Sequence, residues 1–158
     1  MTKFDLFTVA STFIGALGLA ASGASAAHAG DDSEVATAGA GGYDPVAYFT
    51  ESKAVKGSGR YTAEHQGVTY LFSNEANRDA FKKDPAQYLP AYGGYCAYGV
   101  AIGKKLWADP AVWEIVDGTL YLNLDKPIQQ EWNKDKPGYI TKADSNWGSI
   151  KDKSPGDL

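Results

Sequence analysis

The only cysteine of this 158-residue chain, Cys96, is the side chain best suited to chemistry. A thiolate is a nucleophile and a ligand for soft metals, and it forms readily only where its surroundings lower the thiol pKa. If Gly93 and Gly94 open a helix, Cys96 lies in its first turn, where the aligned peptide dipoles favour an anion. The alternative is that Cys96 is a small buried hydrophobic residue, as free cysteines often are. The sequence leaves both interpretations open.

Cys96 lies in a segment, residues 92–100, in which tyrosines alternate with glycines. Glycine allows a ligand or another backbone to approach closely, and tyrosine offers an apolar ring with a polar end. If the segment is helical, Tyr92, Tyr95 and Cys96 share one face. The residues we predict to line a ligand are Tyr92, Gly93, Gly94, Tyr95 and Tyr98.

His65 is the second candidate ligand for a metal ion. If His65 meets Cys96 in space, imidazole and thiolate together suit copper or zinc. The sequence has no His-x-x-x-His or Cys-x-x-Cys spacing to support a metal site, so the alternative is an exposed histidine at the end of a strand. The cofactor is therefore unknown from sequence, with copper or another soft metal ion as the candidate. No catalytic residue is assigned, and Cys96 is the candidate if the protein does redox chemistry.

Two segments in which apolar and polar residues alternate predict β-hairpins. Residues 60–72 alternate about Gln66-Gly67, and residues 113–123 alternate about Asp117-Gly118, a pair that type I′ turns favour. Short helical segments separate and follow these hairpins. The sequence therefore predicts an α+β fold, with a small antiparallel sheet built from two hairpins and short helices packed on it.

Polar side chains and prolines predict where these helices begin and end. We expect Ser73 to cap a helix that ends by Asp84, before a proline. We expect Asp125 to cap the next helix and Pro137-Gly138 to end it. A short helical piece is expected at residues 143–147. The sequence shows no internal repeat of the kind that builds a solenoid.

The first 29 residues have the composition of a cleaved signal peptide. Lys3 supplies a positive charge, residues 6–21 are uncharged and mostly apolar, and two small-x-small cleavage patterns follow. The apolar stretch is shorter than the roughly 20 residues that span a bilayer, so we expect no stable membrane span after cleavage and a periplasmic or secreted protein. The predicted boundaries are a signal peptide at 1–29, a disordered linker at 30–42, a folded domain at 43–150 and a flexible tail at 151–158.

The composition excludes some classes of partner. The net charge of −4 and the pI of about 5.1 argue against nucleic acid, because phosphate binding needs a basic surface. A single cysteine forms no internal disulfide, so the fold depends on its core. The expected partner is a small ligand or a metal ion, with a periplasmic protein as a further candidate.

Three motifs give the chain a resemblance to a known family. They are Asp44-Pro45-Val46, the hairpin end Tyr70-Leu71-Phe72-Ser73, and Phe81-Lys82-Lys83-Asp84-Pro85 followed by Tyr88. Over residues 43–88 the chain resembles a YHS domain, and the folded domain at 43–150 is accordingly taken to be of YHS type. Residues 92–147 resemble the longer, exported branch of that family, in which some relatives carry selenocysteine where Cys96 stands.

The resemblance implies a link with heavy-metal handling. Related YHS and TRASH domains use cysteines after the Asp-Pro-Val motif and near the end of the first hairpin. This chain has Ala47 at the first place, and Ser73, Ala76 and Asn77 near the others. The sulfur site of the relatives therefore does not carry over to this chain. Cys96, at a different place in the sequence, is the only cysteine that could bind a metal ion.

Three functions follow as hypotheses. The first is an exported YHS-type binding module that binds a soft metal such as copper, or senses redox state, through Cys96. The second is a thiol enzyme in which Cys96 forms a sulfenic acid or a mixed disulfide with an external thiol, because the chain has no second cysteine. The third is a protein-interaction scaffold in which Cys96 is structural.

Overall fold

A computed structural model describes residues 38–158 of the chain. The predicted signal peptide, and the predicted linker up to residue 37, lie outside the described residues. Within residues 38–158, none of the helices is both long and apolar enough to cross a membrane. The elements are α1 (Ala47–Thr50), β1 (Ser58–His65), β2 (Val68–Phe72), α2 (Glu75–Lys83), α3 (Pro85–Tyr88), α4 (Ala97–Ala101), β3 (Asp109–Val116), β4 (Thr119–Asn123), α5 (Lys126–Trp132) and α6 (Lys136–Ile150), with 3-10 turns at Gly39–Gly42, Ala91–Gly94 and Pro155–Asp157.

The α+β class and both hairpins are confirmed, but each hairpin forms its own sheet. β1 pairs with β2 and β3 pairs with β4, both antiparallel, and the two pairs are separate two-stranded sheets. Both turn residues have positive φ in each hairpin, 51° and 77° in the first and 49° and 77° in the second. This is the backbone of a type I′ turn, as predicted for Asp117-Gly118, and the turn predicted at Gln66-Gly67 has the same type.

Of three predicted helix boundaries, two differ from expectation and one is confirmed. The predicted cap Ser73 is wrong, because Asn74 accepts the N–H of Asn77 at 2.9 Å and α2 begins after it. Asp125 caps α5 as predicted. Pro137-Gly138 does not end a helix but lies in the first turn of α6, where a proline is tolerated because its missing N–H would have no partner.

The segment around the cysteine is not one helix. Residues 91–94 form a 3-10 turn in which Tyr92 has a φ of 55°, and α4 begins only after Cys96, which is its N-cap residue. The prediction that Tyr92, Tyr95 and Cys96 share a helical face is therefore wrong. The physical reason is the left-handed conformation of Tyr92 and the glycines after it, which interrupts a right-handed helix.

The two halves of the domain repeat the same structure. Each begins with a turn of three consecutive positive-φ residues, at 40–42 and at 92–94. Each then has a short helix and a hairpin of an eight-residue and a five-residue strand, followed by another short helix. We call residues 39–88 repeat 1 and residues 91–139 repeat 2. The duplicated unit is not of the solenoid kind considered from the sequence.

The register of the hairpins fixes which residues correspond. In repeat 1 the pairing shifts between Ser58↔Phe72 and Thr62↔Leu71, and in repeat 2 it shifts between Asp109↔Asn123 and Trp113↔Leu122. Both hairpins thus carry the same irregularity at the same place in the strand. The residue that follows the turn and its tyrosine is Asp44 in repeat 1 and Cys96 in repeat 2.

The ends of the domain are part of the folded structure. Residues 39–42, placed in the linker by sequence, form a 3-10 turn in which Ala40 is buried. In the segment predicted as a flexible tail, Leu158 packs against the core cluster around Trp132. The backbone carbonyls of Lys151 and Lys153 accept hydrogen bonds from Lys105 Nζ at 3.0 and 2.6 Å.

Candidate functional site

A cavity of about 370 Å³ lies between the first turns of the two repeats. Its wall combines the turn of repeat 1 with the turn of repeat 2, and the remaining lining comes from both hairpins and the loop before β3. Among the described residues that line it, none carries a charged side chain. They are Ala38, Gly39, Ala40, Gly41, Val68, Gly93, Gly94, Tyr95, Trp107, Ala108, Pro110 and Leu122.

Glycine makes the close contact between the two halves possible at this wall. A Cβ atom built at Gly41 would lie 2.7 Å from Pro110 Cγ, which is too close for carbon atoms that are not bonded. Gly41 also has a φ of 61°, a conformation that other residues adopt at a cost. The turn of repeat 1 therefore lies directly against the start of β3.

Trp107 lies on the cavity with 67% of its surface exposed, the largest value among the exposed large hydrophobic residues of the described chain. Its ring packs against that of Tyr95, with centroids 5.3 Å apart. The backbone of Tyr95 pairs with that of Trp107 in an isolated β-bridge. In repeat 1 the corresponding Tyr43 forms such a β-bridge with Lys56. Because a lysine occupies the matching position in repeat 1, this fold does not require an exposed tryptophan there.

The ammonium group of a buried lysine also contacts the Tyr95 ring. Lys105 Nζ lies 4.7 Å from the centre of that ring, within the range of a cation–π contact. The ammonium group also donates to two carbonyls of the C-terminal segment. The ring of Tyr95 thus contacts both Lys105 and Trp107, with the cavity beside it.

The structure divides the five predicted ligand-lining residues into two groups. Gly93, Gly94 and Tyr95 line the cavity. Tyr92 instead donates from its hydroxyl to Asp144 Oδ1 at 2.8 Å, and burial followed by that hydrogen bond raises its pKa, so the hydroxyl stays protonated. Tyr98 packs against Tyr139, with ring centroids 5.1 Å apart. Tyr92 and Tyr98 therefore face α6 and support the domain core.

Cys96 is fully buried. Its sulfur accepts the N–H of Gly99 at 3.4 Å, and it lies 3.7 Å from Asn123 Oδ1, to which the thiol donates. Burial raises the pKa of the thiol, and hydrogen bonds from the backbone N–H groups of Gly99, Leu124 and Tyr98 offset part of this rise. In this environment the side chain is a protonated thiol.

His65 contacts a different part of the domain. It is the last residue of β1, and its ring lies edge-on to Phe81, with centroids 6.1 Å apart. The backbone of Cys96 instead forms a β-bridge with Leu122 of β4, and its side chain contacts Asn123. Within residues 38–158, no group of three or more His, Cys, Asp and Glu side chains is placed to hold one metal ion.

In this chain, the residues near the positions where related domains carry cysteines donate hydrogen bonds to Asp44. The buried Asp44 carboxylate accepts the N–H groups of Val46 and Ala47 at 2.9 and 3.3 Å through Oδ1. Its Oδ2 accepts the N–H and the hydroxyl of Ser73 at 2.8 and 2.7 Å, and Asn77 Nδ2 at 2.7 Å. These five donors leave no free acceptor for a soft cation, so the residues present do not fit the metal site that the resemblance implies.

Sequence reasoning did not select Trp107 as a ligand-lining residue, because its aromatic ring is as simply explained by the core, and it missed Asn123 and the anchoring role of Asp44. One signal was available, because Gly-Gly-Tyr occurs at residues 41–43 and again at 93–95. This repetition would have paired Asp44 with Cys96. The exposure of Trp107 had no such signal, since a tryptophan in a loop is as readily buried as exposed.

Comparison with known proteins identifies one family. A family model described as YHS domain matches residues 46–92. The match begins just before α1, includes the first hairpin and α2, and ends in the turn of repeat 2. No curated protein and no solved structure matches the chain.

Proposed function

This chain carries a YHS domain at residues 46–92, and we propose that it is a binding module that holds a small, neutral, flat ligand in the cavity between its two repeats. The observation that carries this proposal is Trp107, which is 67% exposed on the wall of an uncharged cavity. Exposing a large aromatic ring to water is unfavourable, and a ligand that stacks on the ring removes that cost.

The volume of the cavity limits the size of the ligand. An engineered cavity of about 150 Å³ binds benzene, so a cavity of about 370 Å³ has room for a molecule of two or three fused or linked rings. This volume lies at the lower end of the range for small-molecule sites, about 300–1,000 Å³. A larger ligand would extend out over Trp107.

The charge of the lining sets the ligand's chemistry. The cavity wall is made of glycine, alanine, proline and large apolar side chains. A charged ligand would lose its hydration there without gaining an ionic partner, at a cost of several kcal/mol. A neutral aromatic molecule loses little hydration and gains the faces of Trp107 and Tyr95.

Titration with N-phenyl-1-naphthylamine tests the proposal. This neutral aromatic probe fluoresces strongly only in apolar surroundings. We expect one saturable site, binding weakened at least about tenfold (about 1.4 kcal/mol) in Trp107→Ala, and binding retained in Trp107→Phe. The matched control is Ile102→Ala, because Ile102 is 51% exposed and is not among the residues that line the cavity. Absence of saturable binding, or equal loss in both alanine variants, would refute the proposal.

Binding of a soft metal or sensing of redox state through Cys96 is the second candidate, and the match to a YHS domain supports it. A thiol enzyme that uses an external thiol, and a protein-binding scaffold, remain hypotheses alongside it, as does export to the periplasm or medium. Equilibrium dialysis against Cu(I) compares wild type with Cys96→Ser. One equivalent of copper held by wild type and lost in Cys96→Ser would establish the metal site, and no copper in either would remove it.

A further inference from the structure

The family match ends at residue 92, yet the backbone that follows repeats the matched part. We infer that residues 91–139 are a second YHS-type unit, and that Cys96 is its anchoring residue, in the position that the carboxylate of Asp44 occupies in the first unit. This inference depends on the fold and on the contacts of Cys96, and it holds whether or not the proposed ligand binds.

The same backbone donors face position 44 and position 96. Asp44 accepts the N–H groups two and three residues further on, those of Val46 and Ala47. Three residues after Cys96, the N–H of Gly99 likewise bonds to its sulfur at 3.4 Å. The N–H two residues after Cys96, that of Tyr98, faces the sulfur and donates to Asn123 Oδ1 at 3.5 Å. Two of the donors that hold the carboxylate in repeat 1 thus have counterparts in repeat 2.

A third backbone donor comes from the end of each hairpin. β2 ends at Phe72, and the next residue, Ser73, donates its N–H to Asp44 Oδ2 at 2.8 Å. β4 ends at Asn123, and the N–H of the next residue, Leu124, faces the sulfur of Cys96 and offsets part of the rise in the pKa of its thiol. In both repeats the anchoring side chain therefore ties the first short helix to the junction between the hairpin and the following helix.

A side-chain amide lies next to the anchoring residue in both repeats. In repeat 1, Asn77 Nδ2 donates to Asp44 Oδ2 at 2.7 Å. In repeat 2, the fully buried Asn123 lies beside Cys96, and its Nδ2 has no hydrogen-bond partner within residues 38–158. Rotation of this amide about its terminal bond would turn Nδ2 toward position 96, where a carboxylate would accept its hydrogen.

The anchor positions one wall of the cavity. Cys96 directly follows Tyr95 and forms a bridge with Leu122, and both of these residues line the cavity. Cys96 is therefore a positioning residue for the wall and not a residue that contacts the ligand. A buried cysteine that only filled space would be replaced best by valine, whereas an anchor is replaced best by a group that accepts several hydrogen bonds.

Three variants at position 96 separate these roles. C96D supplies a carboxylate, C96N supplies the same shape with half the acceptor capacity and no charge, and C96V supplies an apolar group. At pH 7 we expect C96D to melt within about 4 °C of wild type, and C96N and C96V to melt at least about 8 °C below C96D. C96D should also keep the binding of N-phenyl-1-naphthylamine shown by wild type.

The dependence on pH identifies the carboxylate as the cause. A carboxylate held by N–H donors has a lowered pKa in the folded state, so its contribution to stability is present above about pH 4 and lost below it. The difference in Tm between C96D and C96N should therefore shrink as the pH falls from 5 to 3. Asp44 is present in both variants, so its contribution cancels in the difference.

The result that overturns the inference is a C96D variant that unfolds or melts below C96V at pH 7. Should every variant fail to fold, hydrogen exchange of the wild-type protein gives the answer. The amide protons of Gly99 and Leu124 should then be protected to the same degree as those of Ala47 and Ser73. Fast exchange at Gly99 and Leu124 would show that the sulfur is not an anchor.

Discussion

The hydroxyl of Tyr48 in repeat 1 donates a hydrogen bond to the carbonyl oxygen of Pro110 in repeat 2, at 2.8 Å. Tyr48 is fully buried, and its ring lies edge-on to Trp113 with centroids 5.1 Å apart. Burial raises the pKa of this hydroxyl, so it remains a donor throughout the ordinary pH range. One side chain thus joins the two repeats, and its acceptor, Pro110, is part of the cavity wall.

Tyr48→Phe should destabilise the protein by about 1–3 kcal/mol, because it leaves the carbonyl of Pro110 without its donor while it keeps the ring in place. Urea unfolding followed by circular dichroism measures this change. Tyr61→Phe is the control, since Tyr61 in β1 is only partly buried and packs against the core cluster of repeat 1. Equal effects of the two variants would show that the bond between the repeats contributes nothing specific.

Asp44→Asn should destabilise the protein by at least about 2 kcal/mol. The substitution keeps the shape of the side chain but points an NH₂ group at donors that now bond to a carboxylate oxygen, and buried groups left unpaired cost about 1–3 kcal/mol. Asp79→Asn removes a carboxylate that is half-exposed and paired with Arg78, for which we expect less than about 1 kcal/mol. Chemical unfolding of both variants measures these changes in the free energy of unfolding. An Asp44→Asn variant as stable as wild type would contradict the anchoring role.

The burial of Cys96 predicts a loss of stability at alkaline pH. Above about pH 8.5 the unfolded chain releases the thiol proton, whereas burial raises the pKa of the thiol in the folded protein, which keeps the proton. The free energy of unfolding should therefore fall as the pH rises above about 8.5, by at most about 1.4 kcal/mol per pH unit. Below that pH this group contributes no dependence.

Unfolding of wild type and Cys96→Ser in urea, from pH 7 to pH 9.5, measures this effect. The stability advantage of wild type should be constant to about pH 8.5 and then shrink. Tyrosines with raised pKa, such as Tyr70 and Tyr121, are present in both proteins and cancel in the difference. An advantage that stayed constant to pH 9.5 would mean that the thiol titrates alike in the folded and unfolded states.

Several features were predictable because they depend on residues close together in sequence. Gln66-Gly67 and Asp117-Gly118 favour the left-handed backbone of a type I′ turn, and both form one. Asp125 accepts the N–H of Ile128 within its own helical turn. The motifs carried by residues 44–88 were also sufficient to identify a YHS domain, which the family model matches at residues 46–92.

Other features depend on which distant residues meet. Ser73 has the side chain of a helix cap, but Asp44, 29 residues earlier, accepts its hydroxyl, and Asn74 caps the helix instead. The buried carboxylate thus takes the residue that local preference favoured as the cap, and its neighbour Asn74 caps the helix. Similarly, the close approach of Gly41 to Pro110 places the turn of repeat 1 beside the start of β3, and no local preference predicts it.

The sequence by itself thus determined the fold class, the two hairpins and the family, because short-range backbone preferences and alternating hydrophobicity act within each segment. The tertiary structure decided that the unit is repeated, that Cys96 stands where Asp44 stands, and that Trp107 is exposed on a cavity. These depend on contacts between residues far apart in the sequence, whose burial and partners are set only when the two halves pack together.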